Sequence, residues 1–338
     1  MARYSLSLTI ISHDKHHHSI NPDLTRHPGQ PGSEDAQKLQ TSLLHAISSG
    51  YRLIDTAQAY GVESVVGAAI RASPIPRSSL TVVTKFVATA TETPAQALAK
   101  SLKDLDVDYI DVFLLHWPNV SSSADAFGGK FLGRDEKPSF VDVWKAMEKL
   151  LGPTCRAIGV SNFSQLTLAT LLDDPQTRVV PAVNQVELHA LNPNLALVPW
   201  CKERGVHVMS WSTLGGNSSG GTNSSDPNPI LTDALFVDLA RKYNVSPGVI
   251  SLSWAVQRGV TVIPMSSKLE RIEENIKLVT LSEGDFERVN KASETIGRKR
   301  LADGLEFAKG HVPGKGDTLL GWTLQEFGWE DERGNWLV

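Results

Sequence analysis

Cysteine is scarce in this chain: Cys155 and Cys201 are the only two in 338 residues. That excludes a disulfide-stapled scaffold, and two thiols so far apart lack the spacing of a zinc site, so both read as small buried hydrophobes in a reducing compartment. No apolar stretch runs for the ~18 residues of a membrane-spanning helix before a charge breaks it, so the sequence predicts a soluble, cytoplasmic chain with no membrane contact. Met1 to Ile11 carries Arg3 and a short apolar stretch but no small-residue cleavage site, so no signal peptide is expected. Charge of one sign is also missing. With 33 basic and 37 acidic side chains the formal charge is -4, and without a long basic run nucleic acid is not an expected partner. Wholesale disorder is excluded by 41% hydrophobic and 21% charged residues, an ordinary globular balance.

What is present is an alternation. Short β-branched or apolar runs are expected as strands at Arg52–Thr56, Leu80–Lys85, Tyr109–His116, Ala157–Ser161, Ala182–Leu188, His207–Ser212 and Thr261–Pro264. Segments of helical period lie between and after them: Glu34–Ser49, Val62–Ala72, Pro94–Leu105, Phe140–Leu150, Ser164–Leu172, Leu195–Arg204, Ile230–Tyr243, Pro247–Arg258 and Leu269–Leu278. Thr93, Ser246 and either Asn162 or Ser164 are expected N-caps. Seven βα repeats with one further first strand make a (β/α)8 TIM barrel the economical α/β architecture. A doubly wound open sheet is the alternative, and the lack of a G-x-G-x-x-G after the first strand weighs against it.

The first strand has only Ser5–Ile11 to draw on, followed by the Pro/Gly/His-rich stretch Ser12–Gly32, which reads as a loop. The expected organisation is therefore an atypical N-terminal segment (1–34), a barrel (35–300) and a C-terminal extension near the substrate site (301–338). Trp322, Phe327, Trp329 and Trp336 suggest that this extension packs on the barrel. Gly215–Pro229, nearly all turn formers, is expected as a loop directly after a strand, on the functional face of a barrel.

Polar residues at the C-terminal ends of barrel strands mark that face. Asp55 ends YRLID, Tyr60 lies five residues on, Lys85 closes LTVVTK and His116 closes YIDVFLLH. Their types fit one task. An ammonium close to a phenol lowers its pKa, a carboxylate makes burial of that ammonium tolerable, and an imidazole supplies a donor beside the hydroxyl. The set suits protonation of a carbonyl oxygen. Taken singly, each residue reads as well as a solvated rim group.

The segments GYRLIDTAQAYG, TVVTKF, DYIDVFLLHWP, IGVSNF, NQVELH and IPMSS...RIEEN, in this order, resemble the aldo-keto reductases over roughly Ala36 to Val279. The resemblance implies a barrel enzyme that reduces an aldehyde or ketone with NADPH, with Asp55, Tyr60, Lys85 and His116 as the catalytic tetrad and Tyr60 as the general acid. It further implies that Ser161, Asn162 and Gln185 hold the nicotinamide carboxamide and that Trp211, where a tyrosine is usual, stacks on the ring. Ser212, Leu214 and Gly215 would run under the pyrophosphate, and Ser266, Arg271, Glu274 and Asn275 would hold the adenosine 2′-phosphate end. Met265 stands where the family usually has lysine, so NADH is a possible cofactor too, with Lys268 close enough to compensate.

The family's opening G-x-G-T strand is absent from Met1–Gln37. That departure motivates the alternative of a catalytically weak cofactor-binding barrel acting as a regulatory or redox-sensing subunit. Trp117 is expected to line an apolar substrate pocket, with Asn119–Lys137 and the Trp-rich extension shaping specificity. The expected partner is a small carbonyl compound and the expected state a monomer. No metal is expected: His13, His16, His17 and His18 with Asp14 read as a solvated segment, and Glu187 with His189, which might suggest a metallohydrolase, lack paired histidines on one strand.

Overall fold

A computed structural model describes residues 32–124, 130–215, 227–298, 300, 309–312 and 316–337. Its strands are β1 (Leu53–Asp55), β2 (Thr81–Thr89), β3 (Ile110–Ser121), β4 (Cys155–Ser161), β5 (Val183–Glu187), β6 (His207–Trp211) and β7 (Thr261–Val262). They form one parallel sheet whose spatial order is the sequence order. This is the barrel-type arrangement rather than the doubly wound alternative, in which the order reverses at a switch point. Seven strands of a (β/α)8 barrel are thus described. Among the described residues nothing pairs with the outer edge of β1 or β7. The expected first strand, Ser5–Ile11, lies outside them, as do residues 216–226 of the Gly-rich loop and the four histidines of the N-terminal segment.

The helices follow from local signals. Thr93 forms a capping box with Gln96, and Pro94 sits at the first position of α3 (Pro94–Leu105), where a missing N–H costs nothing. Ser139 and Ser164 likewise cap α4 (Phe140–Glu148) and α5 (Gln165–Leu172). α1 (Glu34–Ser48), α2 (Glu63–Ala72), α6 (Leu197–Glu203), α9 (Pro247–Gln257) and α10 (Leu269–Asn275) complete the layer around the strands, with a split helix, α7 (Pro229–Thr232) and α8 (Ala234–Tyr243), before α9. The ends of that layer meet, because Tyr51, just after α1, donates to the Ile272 carbonyl of α10 at 2.7 Å.

Inside the sheet, Val83, Leu114, Val183, Met209 and Ile263 form one apolar cluster, while Phe113, Leu115, Ile158 and Val160 face the helices. The period of two thus sorts each strand between a barrel interior and a helix-facing side. Gly159 has no side chain because a Cβ there would meet the Val183 carbonyl oxygen at 2.6 Å and Leu114 at 2.7 Å.

Several expectations are corrected. β2 and β3 do not close at Lys85 and His116 but run on to Thr89 and Ser121, pairing Ala88 with Val120 after a register break beyond Phe86. Val87, Ala88 and Val120 are buried, so this extended ladder has its own apolar cover. The helix expected over Ile230–Tyr243 is two helices, α7 (Pro229–Thr232) and α8 (Ala234–Tyr243), split at Asp233, which is extended and accepts from Leu235 N–H. A short polar side chain there offers the backbone an N-cap instead of helix continuation. Ser246 precedes α9 but makes no side-chain cap. Two helices were not expected, α11 (Glu283–Asn290) and α12 (Ala292–Thr295), since few apolar residues mark them. The C-terminal extension holds an antiparallel hairpin, β8 (Lys309–Val312) and β9 (Gly316–Leu319), and a short helix, α13 (Leu324–Phe327).

Gly67 on α2 tests the tightness of the helix layer. A Cβ at this position would lie 1.8 Å from the Leu105 carbonyl oxygen at the end of α3. Gly67→Ala is expected to lower stability by ~1–3 kcal/mol despite alanine's better helix propensity, because the two helices must separate. A thermal midpoint equal to or above the parent's would show that they do not meet this closely.

Candidate active site

The register of the strands decides which side chains meet. Asp55 pairs with Val83 and Lys85 with Leu114, so the ends of β1 and the middle of β2 bring both charges to the same rim of the barrel interior. Tyr60 returns to that rim because residues 58–60 make a 3₁₀ turn, which Gly61 ends at φ +66, a left-handed conformation that glycine adopts without strain. Lys85 Nζ donates to Asp55 Oδ2, to the Thr56 carbonyl at 2.8 Å and to the Tyr60 hydroxyl oxygen at 3.3 Å. Both Lys85 and Asp55 are 0% exposed. The His116 ring stands edge-on to Tyr60, with centroids 5.8 Å apart. All four expected residues converge, two of them mid-strand rather than at strand ends.

Their electrostatics differ in one respect from the sequence expectation. Burial raises the Tyr60 pKa, and the pull of Lys85 in the opposite direction does not overcome it. The phenol is therefore held protonated, whereas the sequence suggested a lowered value; exclusion of water is a cause that residue types alone do not reveal. For Lys85, burial acts downward, but Asp55 and Tyr60 outweigh it, and the ammonium is held above its ordinary range. Burial likewise raises the Asp55 carboxyl, opposed by Lys85 and Gln185.

Next to this group lies a second. Ser161 and Gln185 are register partners across β4 and β5, and Ser161 Oγ donates to the Gln185 carbonyl at 2.8 Å. Asn162, at φ +64, donates to the His116 carbonyl at 2.9 Å and accepts from Trp211 Nε1 at 3.2 Å. Gln185 Nε2 donates to Asp55 Oδ1, so the two groups are wired together. That link was not legible in the sequence, since 130 residues separate its ends. Ser212 and Gly215 both have positive φ and close a turn after β6 through Gly215 N–H to the Ser212 carbonyl at 2.7 Å. The Leu214 carbonyl accepts from Asn228, a holder of this turn that sequence reasoning missed.

The third set sits on the segment after β7. Ser266 Oγ accepts from Lys268 N–H at 3.0 Å, Asn275 is buried, and Arg271 is exposed on α10. Glu274 lines an open surface hollow with Arg241, Asn244, Ser246 and Pro247. Arg241 and Asn244 were not singled out from the sequence, having no motif to mark them.

Trp117 is half-buried beside His116 and meets the C-terminal extension, with its ring 6.2 Å from both Phe327 and Trp329. Ser164 holds that extension while capping α5: its hydroxyl donates to the Phe327 carbonyl at 2.6 Å. Glu187 and His189, weighed above as metal ligands, bond to each other at 3.0 Å, and Glu187 also pairs with Arg300. Among the described residues no group of three His, Cys, Asp or Glu is placed to hold a metal, and no helix is long and apolar enough to cross a membrane.

Known proteins are similar to this chain over most of its length. The profile of the Aldo/keto reductase family matches residues 24–294. The aldehyde reductase YPR1 of Saccharomyces cerevisiae is 37% identical over 275 residues, 78% of this chain and 85% of that one. The glycerol 2-dehydrogenase (NADP(+)) of the same yeast is 38% identical over 285 residues, covering 80% and 87%. The D-galacturonate reductase of Hypocrea jecorina is 36% identical over 275 residues, covering 78% and 85%.

The buried pair sets a stability test. Lys85→Met would strand the Asp55 carboxylate in the dry rim, at a cost of ~3–5 kcal/mol, whereas the double change Asp55→Leu with Lys85→Met removes both charges and should recover most of that loss. Urea denaturation midpoints of parent, single and double variants measure the coupling. A double variant as unstable as the sum of both singles would show the charges to be independent.

Proposed function

The chain belongs to the aldo/keto reductase family, and on that premise we propose that it reduces an aldehyde or ketone to the alcohol with NADPH, the proton coming from Tyr60. The convergence of Lys85, Asp55, Tyr60 and His116 in a water-poor rim supports this reading most directly. It is an oxidoreductase site in which every charged member has a defined counterpart.

The residues present suit the cofactor. Ser161, Asn162 and Gln185 offer hydroxyl and amide groups for a carboxamide, Trp211 offers an aromatic face, and Glu274, on the same helix as Arg271, borders an open hollow where the adenosine end would lie. The similar yeast glycerol 2-dehydrogenase is an NADP(+) enzyme by name, which supports the phosphorylated form here. Bound NADPH supplies the hydride that reduces the carbonyl carbon.

The protein's own part is the proton and the placement. Tyr60 gives its phenolic proton to the carbonyl oxygen as negative charge develops there, and Lys85 holds the phenolate that remains. Asp55 keeps Lys85 charged and oriented, and the His116 ring stands edge-on to Tyr60 as a neighbouring donor. A phenol with a pKa raised by burial starts the cycle protonated, which is the state an acid requires. Trp117 forms an apolar wall for the substrate, a small carbonyl compound. The assembled tetrad favours turnover over the regulatory-subunit reading.

Tyr60→Phe is expected to cut kcat/KM by ~10²–10⁴-fold while NADPH affinity, read by fluorescence titration, stays within a few fold. A loss below about tenfold would remove Tyr60 from the role of acid. The position of Met265 gives a second test. Met265→Lys should raise the NADPH/NADH ratio of kcat/KM, and Arg271→Ala should lower it, since a charge-assisted contact to phosphate contributes roughly 1.5–3 kcal/mol. An unchanged ratio in both variants would place the 2′-phosphate elsewhere.

A further inference from the structure

Arg300 has no role in the chemistry above, yet it is 9% exposed and bonded to a carboxylate that is 0% exposed. Its Nε donates to Glu187 Oε2 at 2.8 Å, and its guanidinium carbon lies 3.8 Å from the centre of the Trp329 ring. A planar guanidinium does both at once: N–H groups in its plane meet the carboxylate while its face covers the indole. Glu187 ends β5, two residues beyond Gln185. Its other oxygen is bonded by His189 Nε2 at 3.0 Å; His189 Nδ1 accepts from Leu191 N–H, which leaves Nε2 as the donor. Glu187 is thereby fixed, and Arg300 is the side chain that passes its position on to the extension.

Trp329 carries that position to the mouth. It stacks on Phe327 at 4.7 Å and tilts against Trp117 at 6.2 Å, and Trp117 adjoins His116. The space between Glu187, Arg300, Trp329 and Asn162 is only about 10 Å³, room for no more than one water. The extension also has anchors that do not involve Arg300: Ser164 to the Phe327 carbonyl, Asn119 to the Leu320 carbonyl at 2.9 Å and Trp322 Nε1 to the Leu132 carbonyl at 2.9 Å. Losing Arg300 should therefore loosen Trp329 without detaching the extension.

We propose that Arg300 is a positioning residue for substrate specificity: held by Glu187, it fixes Trp329 against Trp117, and so sets the apolar wall that bulky carbonyl substrates must fit. This rests on the carbonyl-reductase reading for its substrate side and on the geometry alone for its latch.

The test uses the full chain with Arg300→Met, Arg300→Lys, Trp329→Ala and the double Arg300→Met/Trp329→Ala. With a bulky aromatic aldehyde, Arg300→Met should raise KM roughly tenfold at a kcat within about twofold, while a short aliphatic aldehyde should show little change in KM. The double variant should be no worse than Trp329→Ala, because both changes remove the same wall. Arg300→Lys should not rescue the aromatic KM, since an ammonium has no plane to stack. Equal KM changes for both aldehydes, additive effects, or full rescue by lysine would overturn the proposal. Arg300→Lys keeps a cation on Glu187 if Arg300→Met fails to fold, and unfolding of both variants would assign Arg300 to the fold instead.

Amide hydrogen exchange separates this proposal from the catalytic one. Residues 324–330 should exchange faster in Arg300→Lys than in the parent while the barrel strands do not, whether or not any carbonyl is turned over. Parent protein that reduces no aldehyde or ketone would sink the proposed function; unchanged exchange would sink the latch.

Discussion

The ion pair between Lys85 and Asp55 is the constraint on which the site depends. Two unit charges sit where neither touches solvent, a placement that is tolerable only if each oxygen and each N–H has a partner. The partners are supplied from three directions. The Thr56 carbonyl and the Tyr60 hydroxyl take the remaining donors of Lys85, and Gln185, from the far side of the barrel, takes the second oxygen of Asp55. Satisfying one buried charge thus pulls Tyr60, Lys85 and Gln185 into a single network. Under the proposed function, polar satisfaction and placement of the proton donor are the same requirement.

That network exists because parallel strands in register deliver their ends to one rim. A shift of one residue in β2 would turn Lys85 toward the helices and Thr84 into the barrel. The opposite is seen: Thr84 donates to Glu63 of α2, which is buried among the helices with its carboxyl raised by that burial, while Lys85 faces inward. The apolar alternation Val82, Val83 and Phe113, Leu114 is what holds the register. The geometry of the Lys85 network is therefore underwritten by hydrophobic sorting some residues away from it.

The C-terminal extension is bound to the barrel by aromatic packing and by backbone carbonyls capped from barrel side chains. Trp322, Phe327 and Trp329 are buried although they lie in a segment rich in glycine and acid. Gly328 is required there twice over: its φ is +72, and a Cβ would meet Leu166 at 2.6 Å and Ser164 at 2.8 Å. A polar linker would leave such a tail free; here large rings and one close backbone approach pack it onto the barrel.

The sequence by itself determined the alternation of strands and helices, hence the barrel, and the types of the tetrad, because periodicity and the chemistry of Asp55, Tyr60, Lys85 and His116 are local properties. It also marked Thr93 as a cap, left Asn162 or Ser164 open as the next one, and pointed to aromatic packing of the extension on the barrel, where Trp322 and Trp329 are buried. Only the tertiary structure decided the rest. The extension of β2 and β3 past Lys85 and His116, the break at Asp233, the raised rather than lowered phenol of Tyr60, the Gln185 to Asp55 bond and the stacking of Arg300 on Trp329 all depend on contacts between residues distant in the chain. Burial and register set those contacts, and neither is a property of any short stretch of sequence.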